Sequence, residues 1–281
     1  MMGTPRILLL ALAAVALLIG ATGASADENY PWIPGPAAKS IEGAIPVPPG
    51  FTRVAVAVGS FADWLRHLPL APAGTTVTLY DGRPLLDQSI IAAVVDIDTG
   101  TSDLQQCADA VMRLRAEFLY SRGLLAAIGF ALLDGQPYPF SAYSRGVTPR
   151  QDGDAVRWEN DRPRGASHAD LRRYLDLLFG FASTRSLARE LPPVPSLREA
   201  EVGDVFIRPG RPGHAVIIAD MAADASGRRI ALLVQGSMPA RGIYVLNNMQ
   251  HPELGAWFEF ADGKPLVTSG YEFQPNELRR F

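Results

Sequence analysis

The chain has 281 residues, 48% hydrophobic and 20% charged, with a formal net charge of -3. That is length enough for one large domain or two small ones, and the composition excludes wholesale disorder. Its arginines are scattered among acids, which excludes a basic groove for nucleic acid.

In chain order the first predicted element is a leader. Arg6 precedes an apolar run from Ile7 to Ile19 and small residues ending in Ala24-Ser25-Ala26, the pattern of a signal peptide over 1–26. The run is shorter than the roughly 20 residues of a membrane span. Cleavage after Ala26 is expected, giving an exported product, periplasmic or secreted in a bacterium, with no membrane span left. Residues 27–50 are rich in Pro and Gly and read as an extended arm. The remainder, 51–281, reads as a single α+β domain.

Within it TRVAVAV (52–58) alternates like a strand, and Ser60 with Asp63 has the spacing of a capping box opening a short helix. Thr75–Tyr80 and Ile90–Ile97 are further strand candidates. Leu104, Cys107, Ala108, Val111, Leu114 and Phe118 then recur at helical spacing, placing Cys107 on the buried edge of an amphipathic helix. Capping-box spacing at Ser102 with Gln105, or Asp103 with Gln106, would put Cys107 in the fourth or fifth helical position.

The stretch 134–167 carries turn signals and reads as a loop-rich insertion: a lid, an inserted segment or concealed strands. His168–Ala182 forms a second amphipathic helix. The strands GDVFI, HAVIIAD, RIALLVQ and GIYVL complete the chain.

Cys107 is the only cysteine, so no internal disulfide forms. A lone thiol in an exported chain is an intermolecular bridge, a buried inert side chain, or a group kept for its reactivity. The reactive reading needs a base beside it. Of the four histidines, His67 and His168 lie at helix positions suited to capping or exposure, and His251 precedes a proline in a loop. His214 differs, closing the loop RPGRPG and opening a strongly apolar strand.

If HAVIIAD and RIALLVQ form a hairpin with Asp220 opposite Arg229, His214 falls opposite Gln235, whose amide would fix the imidazole tautomer. Asp96 and Asp98 share a strand face without further ligand spacing, and no zinc motif is present, so no metal or cofactor is expected. Trp32, Trp158 and Trp257 read as loop tryptophans able to touch a glycan or partner, or to cover a core edge.

The segments DLQQCADAVMRLRAE, GDVFIRPGRPGHAVIIAD and LLVQGSMPA resemble the signature segments of a bacterial exported family of unknown function. That family often carries Gln and His where this chain has Arg241 and Tyr244. More distantly, the order Cys107, Gly203-Asp204, His214, Gln235 resembles papain-like cell-wall hydrolases of the NlpC type. That resemblance implies an α+β, papain-like fold with the cysteine-bearing helix packed on an antiparallel sheet, and cleavage of amide bonds in peptidoglycan peptides.

The expected activity is a cysteine hydrolase: Cys107 attacks, His214 is base then acid, and Gln235 orients His214. The Cys107 N–H, with the Gln105 or Gln106 amide, would stabilise the oxyanion. The alternative is a non-catalytic envelope binding or scaffold protein that retains the papain-like fold.

Overall fold

The computed structural model describes residues 29–33, 39–153 and 155–281. The expected leader, 1–26, lies outside the described residues, as does part of the arm. The described part of the arm includes a short strand, Lys39–Ser40, paired with Pro69–Leu70, and one helical turn, Ile41–Ala44, capped by the Ser40 hydroxyl.

The centre of the molecule is an eight-stranded antiparallel sheet. Its strands are β1 (Phe51–Arg53), β2 (Ile91–Val94), β3 (Val205–Arg208), β4 (His214–Asp224), β5 (Arg229–Gln235), β6 (Tyr244–Leu246), β7 (Trp257–Glu259) and β8 (Leu278–Arg279). The main path runs β8-β3-β4-β5-β6-β2. The two long central strands each share an outer edge between two short ones. β4 pairs with β3 through His214–Ile217 and with β1 through Ala222–Asp224. β5 pairs with β6 near Gln235 and with β7 near Ile230.

Helices α1 (Phe61–Arg66), α2 (Cys107–Ser121), α3 (His168–Phe179) and α4 (Thr184–Glu190) complete the frame. Ser60 caps α1 by accepting the Asp63 N–H, as its spacing predicts.

β4 and β5 are near-continuous apolar runs because both of their faces are covered. On one face Ala215, Ile217 and Ala219 pack with Ala108, Val111 and Leu114 of α2. On the other, Val216, Ile218 and Leu233 pack with Phe206, Tyr244, Phe258 and Phe273. A bulge between Ile218 and Asp220 reverses the parity of β4. Past it, buried Asp220 receives Arg53 Nε at 2.6 Å and Arg66 Nε at 2.7 Å, tying β1 and α1 to the centre of the sheet.

The expected papain-like α+β arrangement is not what forms. Among the described residues strand accounts for 29% and helix for 25%, and the architecture is dominated by the one antiparallel sheet. The cause lies in the second half, where β3, β4 and β5 follow one another through short connections and β6, β7 and β8 return to the same sheet, and in β1 and β2, which are drawn from far upstream to extend it.

Other local expectations shift as well. The strand over 52–58 ends at Arg53, with Val58 96% exposed. Thr75–Tyr80 makes only isolated bridges, Thr78 to Pro84 and Leu79 to Arg241. The stretch 134–167 holds strands the sequence conceals: Pro137–Pro139 pairs with Gly129–Ala131, and Val147–Asp152 with Ala155–Asn160.

Candidate active site

Cys107 is the first residue of α2, with Gln106 as N-cap, not the fourth or fifth as the capping pattern suggested. The polar side chains before it are used elsewhere. Asp103 Oδ1 accepts the Ala240 N–H at 2.6 Å, and Gln105 Oε1 accepts Arg113 Nη1 at 2.6 Å. The helix instead opens with the Gln106 N–H donating to Asp109 Oδ2 at 3.0 Å. A thiol at the first helical position lies where unpaired N–H groups and the helix dipole favour negative charge.

Burial opposes that field. Cys107 is 9% exposed. Desolvation first and the nearby Asp109 second push the thiol up to about 11, against the N–H groups of Ala108, Ala215 and Cys107 itself, which favour the thiolate. Asp109 is buried too: its Oδ1 has no hydrogen-bond partner, and desolvation raises its carboxyl to about 8, so it is a neutral acid at pH 7.

His214 is 1% exposed at the start of β4. Its Nε2 donates to Gln235 Oε1 at 2.6 Å, and Gln235 Nε2 donates to the Tyr244 hydroxyl at 2.6 Å. The lone pair therefore stays on Nδ1. Tyr271 stacks on the imidazole at 3.9 Å between centroids and 12° between planes. Burial, with a smaller contribution from the charge of Arg241, lowers the imidazole to about 4 against the hydrogen bond that its Nε2 donates to Gln235. The resting pair is a neutral thiol and a neutral imidazole.

The His214–Gln235 contact arises from a register other than the expected one. Ile217 faces Val234 and Ala223 faces Arg229, so Gln235 falls opposite Val216 when the ladder is continued. A slip of two residues preserves the face, and the two side chains meet on the diagonal. Gln235 then lies directly opposite Tyr244, its hydrogen-bond partner.

The sulfur reaches the same strand end from α2. Cys107 Sγ lies 4.0 Å from Gly213 O and receives the Ala215 N–H, so it contacts the peptide units on either side of His214. Among the described residues no hydrogen bond joins the sulfur to the ring, and by strand parity the imidazole belongs with Val216 on the face away from α2. Tyr271 links the two, stacking on the ring while a Cys107 charge, after burial, raises its phenol.

Two glycines permit this convergence. A Cβ on Gly213 would lie 2.9 Å from Gly210 O, and one on Gly236 would lie 2.9 Å from Gln106 O and 3.0 Å from Ala110 Cβ.

A cavity of about 250 Å³ reaches Cys107, lined among others by Gln106, Asp109, Thr184, Arg185, Arg211 and Met238. His214 and Gln235 do not line it. Gln106 borders it with its amide on Asp103 at 3.1 Å, whereas the Gln105 amide is turned away to Asp98 O.

The other histidines are engaged elsewhere: His67 with Glu42, His168 with Glu117 and His251 with Glu253. Asp98 pairs with Arg113 at 2.6 Å, and among the described residues no group of three or more His, Cys, Asp or Glu side chains is placed to hold a metal. Trp257 is not an exposed loop residue: it lies buried in β7 with its indole N–H on Pro46 O. Trp32 and Trp158 are partly buried, their indoles bonded to Asp96 O and Gln136 Oε1.

Sequence reasoning missed Asp109, Tyr244 and Tyr271. Tyr244 was legible as the residue facing Gln235 once β6 was aligned, and Asp109 as an acid placed on the first turn beside the thiol. Tyr271 had no local signal.

No helix among the described residues is long and apolar enough to cross a membrane. No curated protein and no solved structure matches the chain, so the likeness to NlpC-type hydrolases finds no support there. A family model matches over residues 41–280, and the chain therefore belongs to the family described as Domain of unknown function (4846).

Proposed function

We propose that the protein is an exported thiol hydrolase that cleaves amide bonds, with peptidoglycan peptides as the substrate class. The observation that carries this reading is the position of the Cys107 sulfur. It lies at the N-terminus of a long helix, beside a cavity, in contact with the peptide units flanking a histidine whose tautomer is fixed by Gln235 and Tyr244.

The two neutral partners favour a general-base route over a standing ion pair. As the sulfur attacks the carbonyl carbon, its proton passes to His214 Nδ1, and the oxyanion meets the Cys107 and Ala108 N–H groups. Collapse breaks the C–N bond, His214 returns the proton to the departing amine, and water hydrolyses the thioester. This route requires the His214 ring to turn toward the cavity as substrate enters.

Hydrolysis of purified muropeptides by the wild type and by Cys107→Ser tests the reading. Turnover lost in the variant supports it; equal turnover, or none in either protein, refutes it. A second reading, an envelope protein that binds without chemistry, is favoured by the buried, high-pKa thiol. On that reading Cys107→Ala leaves binding to sacculi intact and the wild type leaves the peptides uncut.

A further inference from the structure

Next to the Cys107 cavity lies a second groove of about 490 Å³, lined by Leu133, Arg185, Ala188, Arg189, Pro209 and Arg279. Leu133 and Arg185 line both, so the two form one continuous surface, and Arg211 borders the cavity side. Among the described residues none of these four arginines has a carboxylate within ion-pair distance. Their guanidinium contacts are backbone carbonyls: Arg189 Nη2 on Leu133 O at 2.5 Å, and Arg279 Nη1 on Asn276 O at 2.6 Å and Leu278 O at 2.9 Å.

The neighbouring acids are committed elsewhere. Glu190 accepts the Ala131 N–H at 2.8 Å, Asp103 accepts the Ala240 N–H, and Asp109 is held neutral by burial.

Several exposed arginines elsewhere rest on carboxylates, Arg83 on Asp81, Arg150 and Arg157 on Glu159, Arg198 on Asp262, Arg228 on Glu259, and those without one, such as Arg145 and Arg162, do not line this groove, where three converge. The chain as a whole carries a net charge of -3. Three guanidinium groups lining a groove without an acid repel one another, and two of them are pinned by carbonyl acceptors, which lowers the entropy lost when an anion binds.

We infer that Arg185, Arg189 and Arg279 form a substrate subsite for a carboxylate, so that the peptide reaching Cys107 is an acidic one whose charged group lies in the adjoining groove. This deepens the hydrolase reading and rests on it for the identity of the occupant.

The test is calorimetric titration of Cys107→Ala with a muramyl peptide bearing a free glutamyl carboxylate and with the same peptide amidated at that carboxyl. The free acid is expected to bind about tenfold tighter, with the advantage shrinking as salt rises. Arg185→Gln combined with Arg279→Gln should erase the difference, the free acid then binding no tighter than the amidated peptide.

Equal binding of the two peptides, a preference that survives the double substitution, or binding of neither would overturn the subsite. Failure of the hydrolase reading is seen separately: the carboxylate preference persists in the titration, and wild-type protein leaves both peptides uncut.

Discussion

The resting state of Cys107 makes a quantitative prediction for its reactivity. With the thiol near 11, about one molecule in ten thousand carries a thiolate at pH 7, roughly a hundredfold fewer than for a thiol at the reference value of 9.0. Alkylation by iodoacetamide should therefore keep rising from pH 7 to 10 without a plateau, more shallowly around pH 8 where Asp109 ionises.

Asp109 adds a second feature. It is uncharged below about pH 8 and, once ionised, holds back the thiol. Asp109→Asn should therefore follow the wild type at pH 7 and react faster above pH 8. The assay is the second-order alkylation rate followed by intact mass, with unfolded protein as the reference thiol. A wild-type rate that levels off below pH 8, or that matches unfolded protein at pH 7, would refute the argument, because either result requires a thiolate already formed in the folded site.

Three further predictions concern the frame that holds the site. The unfolded chain protonates His214 near 6.5, but the folded protein does not until about 4. Its contribution is thus intact above 6.5 and lost as pH falls toward 4, at most about 3 kcal/mol; urea unfolding at pH 7 and 4.5 should show a smaller acid loss in His214→Asn. Arg113 is wholly buried, bound to Gln105, to Asp98 and to Glu117, which is itself 2.8 Å from His168. Arg113→Met should cost about 3–5 kcal/mol by stranding Glu117 and releasing the loop before Cys107, and an unfolding midpoint equal to wild type would contradict this. Gly236→Ala drives a methyl group into Gln106 O and Ala110, so a loss of about 1–3 kcal/mol is expected, and a variant of unchanged stability would show that the strand end and helix can separate freely.

The legible and illegible parts of this molecule divide by the range of the forces involved. The apolar runs of β4 and β5, the cap at Ser60 and the amphipathic helix carrying Cys107 are set by local pattern, and they form near their expected places. The start of α2 was misplaced because Asp103 and Gln105 have the right spacing for caps but are recruited by Ala240 and Arg113, residues that only the tertiary fold brings close.

The hairpin 147–160 was hidden because its strands are largely exposed and carry charge and proline instead of alternating apolar residues. His214 and Gln235 could be paired by counting along two strands, although the true register differs by two residues and keeps only the face. The papain-like arrangement failed because chain order of Cys, His and Gln carries no information on how many strands the sheet gathers, and here β1 and β2 join it from far upstream.

The layout of the sheet also governs how the molecule must come together. Its middle is made from residues 214–235, while the borders are supplied by β2 around residue 91 and β8 around residue 278. During synthesis the early segments emerge well before the hairpin that will hold them, and their pairing spans sequence separations that slow assembly. A fragment stopped short of residue 214 would lack the scaffold on which its helices rest, so the site should mature late and in a single cooperative event.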